Sequence, residues 1–122
     1  MKTIASVLLV AAASLVSQAY AGCTYPTAPE KIPDGASATL EEMTAAKSLV
    51  VQYNKDMEGY LACLKLENDG KIAEAGDKIT PEQKQELARM EAQKHNAAID
   101  ELEAVAARFN EQLRAYNAKN KK

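Results

Sequence analysis

Tryptophan is absent from this 122-residue chain, and Phe109 and His95 are the only residues of their kinds. Apolar residues make up 47 % of the sequence, largely as alanine, which is material for one small domain with a thin core and for no second domain. Glycine-rich phosphate loops, CxxC pairs and a CxxCH haem attachment are all missing. No serine follows a strand–turn–helix pattern, and the single His95 lies within a helical pattern, so nucleophilic catalysis finds no pair of groups to use. Carboxylates such as Glu41, Glu42, Glu82 and Glu86 fall at expected helix starts, where the helix dipole already accounts for them. An enzyme is not expected, nor a cofactor or metal. The longest apolar run, Ile4 to Val16, is too short to span a bilayer. The formal charge is −2 with no dense basic patch, which argues against nucleic acid as a partner.

That apolar run has another reading. Lys2 supplies a positive start, the run follows, and Ala19-Tyr20-Ala21 is a small-x-small site, so residues 1–21 have the parts of a secretory signal cleaved after Ala21. The chain would then begin at Gly22 in the periplasm or outside the cell, and loss of Lys2 takes −2 to −3. Cys23 and Cys63 both survive, and an even count in an exported chain is most simply one disulfide. A competing reading takes Ala21-Gly22-Cys23 as the end of a bacterial lipoprotein box with Cys23 acylated. Tyr20 stands where that box expects Leu or a similar aliphatic residue, and acylation would leave Cys63 unpaired, so the bridge is the favoured expectation.

What is present is helical periodicity. From Thr39 to Glu67, Met43, Ala46, Val50, Tyr53, Met57, Tyr60 and Leu64 recur at spacings of three and four, one face of a helix. Thr39 and Glu42 form a capping-box pattern at its start, and Asn68-Asp69-Gly70 marks its expected end. Residues 68–79 read as a connector that lets the chain reverse. A second helix is expected over 80–117, opened by Thr80, Pro81 and Gln83, with no later Pro or Gly to interrupt it. Leu87, Ala98, Leu102, Val105, Phe109, Leu113 and Tyr116 form its apolar face, and residues 118–122 are a basic tail.

The fold class is therefore all-α: an antiparallel hairpin of two long helices with an extended proline-rich arm at residues 22–38. Sixteen residues from Cys23 to Thr39 reach about 50 Å as extended chain, while helix residues 39 to 63 rise about 36 Å. The arm can run back along the outside of the first helix, with Tyr25, Pro26, Pro29 and Ile32 packed on the Cys63 flank. A hairpin buries only one seam, so a homodimer completing a four-helix bundle is expected to cover Val51, Leu66 and Ile99.

The polar residues Glu91 and His95 project onto the inner face of the second helix at the level of Tyr53 and Tyr60. Tyr53, Tyr60, Glu91 and His95 are the candidate polar layer. It reads either as a pH-responsive or metal-binding group or, as preferred, as side chains that satisfy one another and fix register or that stay wet where the helix ends splay.

Cys23, the Ile32-Pro33-Asp34-Gly35 turn, Met43, Tyr53, Met57, Tyr60 to Cys63, and the segment from Phe109-Asn110 to Tyr116-Asn117 resemble a group of small exported hypothetical proteins of Gram-negative bacteria. The resemblance implies export and helical architecture and carries no activity. Ile79-Thr80-Pro81-Glu82-Gln83 is similar to the Leu-Thr-x-x-Gln motif of periplasmic stress chaperones, which have two copies where this chain has one, with Ile for Leu. The function expected is a structural or protein-interaction role with an unidentified protein partner. A periplasmic chaperone or envelope-stress adaptor, and a lipid-anchored envelope protein, are the alternatives.

Overall fold

The structure, a computed structural model, describes residues 22–121. Two long helices, α1 (Leu40–Ala75) and α2 (Pro81–Lys119), pack against each other as an antiparallel hairpin, with no strand among the described residues. The signal-peptide expectation for residues 1–21 lies outside the described residues.

Both helices start as their sequences dictate. Thr39 Oγ1 accepts the Glu42 amide at 3.2 Å, and Glu42 Oε2 accepts the Thr39 amide at 2.7 Å. Thr80 and Gln83 make the same reciprocal pair at 3.1 and 2.9 Å, with Pro81 at the first helical position. Each box satisfies two amides that a helix start would otherwise leave open.

The end of α1 corrects the sequence reading. The helix runs straight through Asn68-Asp69-Gly70 to Ala75, so residues 68–75 are helix and not connector. Asn68 is engaged from across the hairpin, donating from Nδ2 to Glu91 Oε2 at 2.9 Å and to the Leu87 carbonyl at 3.5 Å. It is therefore not free to compete for its own backbone. Lys65 pairs with Asp69 at 2.8 Å and Lys71 with Glu67 at 2.7 Å, both at the four-residue spacing that supports a helix. The helix stops at Gly76, whose φ of 53° is the left-handed conformation that glycine adopts without strain. A single 3-10 turn (Gly76–Lys78) and Ile79 complete the reversal.

The core sits at the end away from that turn. Met43, Ala46, Val50, Tyr53 and Met57 of α1 and Ala98, Val105 and Phe109 of α2 are buried together with Ala38, and Ala28, Ile32, Tyr60, Leu61, Leu102, Leu113 and Tyr116 pack around them. Nearly every seam residue expected on α1 is buried, Tyr60 being half-exposed. On α2 three of the seven expected positions are buried, and the other four are half-exposed because only two helices and an arm are there to cover them.

Candidate interaction surface

The arm has neither helix nor strand from Gly22 to Asp34, bends at Glu30, and is fastened by the Cys23–Cys63 disulfide, whose Cα atoms are 5.7 Å apart. Its start lies on the expected flank of α1, with Thr24 and Pro26 beside Asp56, Gly59 and Cys63, while its other attachments correct the expectation that the whole arm follows that flank. Tyr25 Oη donates to Glu101 at 2.9 Å, Arg108 donates to the Pro29 carbonyl at 3.4 Å, the Gly35 amide donates to Gln112 Oε1 at 2.9 Å, and Lys119 donates to the Ala38 carbonyl at 3.3 Å. All four partners are on α2. The arm thus lies along the groove between the helices, parallel to α2 and antiparallel to α1, and the α1 flank residue Leu49 stays 53 % exposed. An arm placed on one helix would cover a single flank. In the groove it touches both helices and closes the open side of the seam.

Gly35 is the tightest contact. A Cβ there would fall 1.8 Å from the Gln112 carbonyl oxygen, so only glycine lets the Asp34 turn sit on the α2 backbone. The turn itself is closed by the Ser37 and Ala38 amides on the Asp34 carbonyl, at 3.1 and 2.8 Å.

The candidate polar layer is divided by the structure. Tyr53 and Tyr60 lie with Tyr25 and Glu101 under the arm, the Tyr25 and Tyr60 rings meeting edge to face at 5.0 Å. Glu91 turns to Asn68, and His95 is exposed. The four do not form one layer, because the arm's Tyr25 takes the place beside the tyrosines and the helix beyond Glu67 brings Asn68 to Glu91. Loss of surrounding water, then the bond to Glu101 and its charge, push the Tyr25 phenol up to about 12. Tyr53 is likewise raised, by burial first and then by the Glu101 charge, and its buried hydroxyl lies near Tyr25 and Glu101 but in hydrogen-bond geometry with neither.

The groove continues where the arm stops. Glu101 and Arg108 on α2 are seven apart, and the same line runs on to Lys94 and Leu87. On α1 it passes from Cys63 to Glu67 and Gly70. Apart from Cys23, which meets Glu67 at its edge, no described residue of the arm covers this half. At its far end a shallow cleft is lined by Ala75, Ile79, Gln83, Glu86 and Leu87. Met90, one turn beyond Glu86 and Leu87, is 42 % exposed, and Leu66 on the outer side of α1 is 73 % exposed. Leu64 is the one buried apolar side chain of α1 beyond Met57. No described group of three His, Cys, Asp or Glu residues is placed to hold a metal, and no described helix is long and apolar enough to cross a membrane.

Sequence reasoning missed Gly35, Glu101 and Gln112 as arm contacts. The available signal was the row of polar residues at spacings of seven and four, Glu101, Arg108, Gln112 and Lys119, running beside the apolar face of α2. The fold and this surface define a helical hairpin with a disulfide-tethered arm that seals half of its interhelical groove. Comparison with protein-family models, curated proteins and solved structures finds no match to the chain.

Proposed function

We propose that this is an exported protein, periplasmic or secreted, released by cleavage after Ala21 and acting as a protein-interaction element. The observation that carries the reading is the uneven covering of one groove: closed over the core by the arm, open from Glu67 to the turn, with the Ala75–Ile79–Leu87 cleft and Met90 at its open end. A mildly acidic chain without a dense basic patch favours a protein over nucleic acid as the occupant. The Cys23–Cys63 bridge supports an oxidising compartment and uses the sulfur that a lipid anchor would need. The reading assigns no catalysis, since both cysteines are bridged and His95 stands exposed and alone of its kind.

The occupant we favour is a second copy of the chain, whose own open end would complete four helices around Leu64, Leu87 and Met90. Light scattering on the processed protein at high micromolar concentration tests it. A dimer that Met90→Glu dissociates is the expected result. A monomer removes self-association and leaves a different protein as partner. The apolar surface at Leu66 and Met90 also favours a second reading, a chaperone for unfolded envelope proteins. Suppression of client aggregation at near-stoichiometric amounts would support it, and none would remove it.

A further inference from the structure

We infer that Glu67 Oε2 is the seat of the α-ammonium that Gly22 acquires when residues 1–21 are removed, so that processing itself locks the tethered arm. This rests on cleavage after Ala21. Glu67 is one helical turn beyond Cys63, and its side chain is 29 % exposed. Its two oxygens are used differently. Oε1 accepts Lys71 Nζ at 2.7 Å. Oε2 lies 3.4 Å from Cys23 Sγ, and a disulfide sulfur has no proton to donate. The neighbouring donor is the Cys23 backbone amide. One residue back along the arm stands Gly22, exposed and with open space around its Cα, free to turn its nitrogen toward that oxygen.

In the uncut chain the Gly22 nitrogen is a neutral amide. Hydrolysis of the Ala21–Gly22 bond adds one water, leaves a carboxylate on Ala21 and makes that nitrogen a cation. The charge appears beside the half of the Glu67 carboxylate that no cation occupies. Lys71 on α1 and Lys94 on α2 face the same carboxylate and already hold it below the usual range. Lys55 and Asp56 lie on the other side of the bridge, beside Thr24 and Pro26. The pairing is therefore read as the change on removing the Glu67 charge alone.

Intact mass of the exported protein comes first. A start other than Gly22 overturns the pairing together with the cleavage reading beneath it. With a Gly22 start confirmed, the amines are labelled by reductive methylation with 13C and titrated by NMR from pH 6 to 10. The expected result is an α-amine that titrates lower by about half a unit in Glu67→Gln, and unchanged in Asp69→Asn, which removes only the exposed partner of Lys65. A raised folded-state value means stability present below the unfolded α-amine value of about 8 and lost as pH rises through the folded one. The melting temperatures of wild type and Glu67→Gln should accordingly differ most near pH 6 to 7, and the difference should shrink by pH 10 to the constant part that loss of the Lys71 pair contributes. An α-amine that titrates alike in both bridged, helical proteins overturns the proposal. So does a melting difference independent of pH, which would assign Glu67 to Lys71 alone.

Discussion

Met57 and Met90 are the same residue on the two helices of one hairpin, and they live in different environments. Met57 is wholly buried where α1, α2 and the arm meet, while Met90 is 42 % exposed where only two helices meet. A pair of helices presents each seam to a single partner, and a thin seam of Ala, Val and Leu leaves its edges wet. At one end the arm is laid into the groove as a third element, and nine residues become a buried cluster. At the other, Leu64 is the one buried side chain of α1, Asn68 bonds across to Glu91, and the Lys65–Asp69, Lys71–Glu67 and Arg89–Glu86 pairs each lie within one helix. Such exposed pairs add little, because water screens them. The helices are equally regular at both ends; the third layer makes the difference.

The sharpest way to break that comparison is to shorten both methionines. Met57→Ala is expected to cost about 2–5 kcal/mol, much of the stability of a domain this small. Met90→Ala should stay within about 0.5 kcal/mol at protein concentrations low enough to keep the chain monomeric. Urea denaturation of the two variants under those conditions measures both, and similar losses would mean that the bare end is covered within a single chain.

Removing the third layer comes next. Cys63→Ser should lower stability by about 2–4 kcal/mol by opening the forty-residue loop, while far-ultraviolet circular dichroism stays helical. Trypsin should then cut first at Lys31, the only basic residue of the arm. Four hydrogen bonds to α2 remain, so Gly35→Ala, which drives the turn off Gln112, should add to the effect in the double variant. Equal cutting at Lys31 with and without the bridge would show that these bonds, and not the disulfide, hold the arm.

A gain is expected at the bare end. Gly70 is inside α1 with open space where a Cβ would go, so Gly70→Ala should stabilise the protein by up to about 1 kcal/mol. The same change at Gly76, where φ is 53°, should destabilise it. Thermal melts of the two variants in opposite directions would fix the helix end at Gly76. A loss at Gly70 would return residues 68–75 to a connector.

The smallest effect is a titration. Tyr25 is held near 12 by lost hydration and by Glu101, so the folded chain keeps this proton where an unfolded tyrosine, near 10, gives it up. Stability tied to it is intact below pH 10 and falls from there toward pH 12. Absorbance at 295 nm should show a late step that Glu101→Gln moves earlier. Tyr53→Phe should be neutral or slightly stabilising, since its hydroxyl has no partner to lose.

Much of this was legible before the structure. The spacing of Met43, Ala46, Val50, Tyr53 and Met57 names one face of a helix whatever lies opposite, and Thr39-x-x-Glu42 and Thr80-x-x-Gln83 name the helix starts, because backbone amides need those acceptors at that distance. Two cysteines forty residues apart named the bridge. Less legible was Asn68-Asp69-Gly70, which carries turn chemistry in isolation and is helical because Asn68 finds Glu91 on α2. The polar layer failed for the same reason: each of Tyr53, Tyr60, Glu91 and His95 was placed on its own helix correctly, but Tyr60 meets Tyr25 of the arm, Glu91 meets Asn68, and His95 stays exposed.

The sequence by itself determined the helices, their starts, their apolar faces and the covalent tie between Cys23 and Cys63, since each depends on residues near in the chain or on a single pair. The tertiary structure alone decided where the arm lies. Extended chain has no internal hydrogen bonds to fix its course, so its path follows the groove that two packed helices create and the donors and acceptors, Glu101, Arg108, Gln112 and Lys119, that α2 presents along it. The open half of that groove exists for the same reason, because the arm has its bridge at Cys63 and α1 continues for twelve residues beyond it, to Ala75.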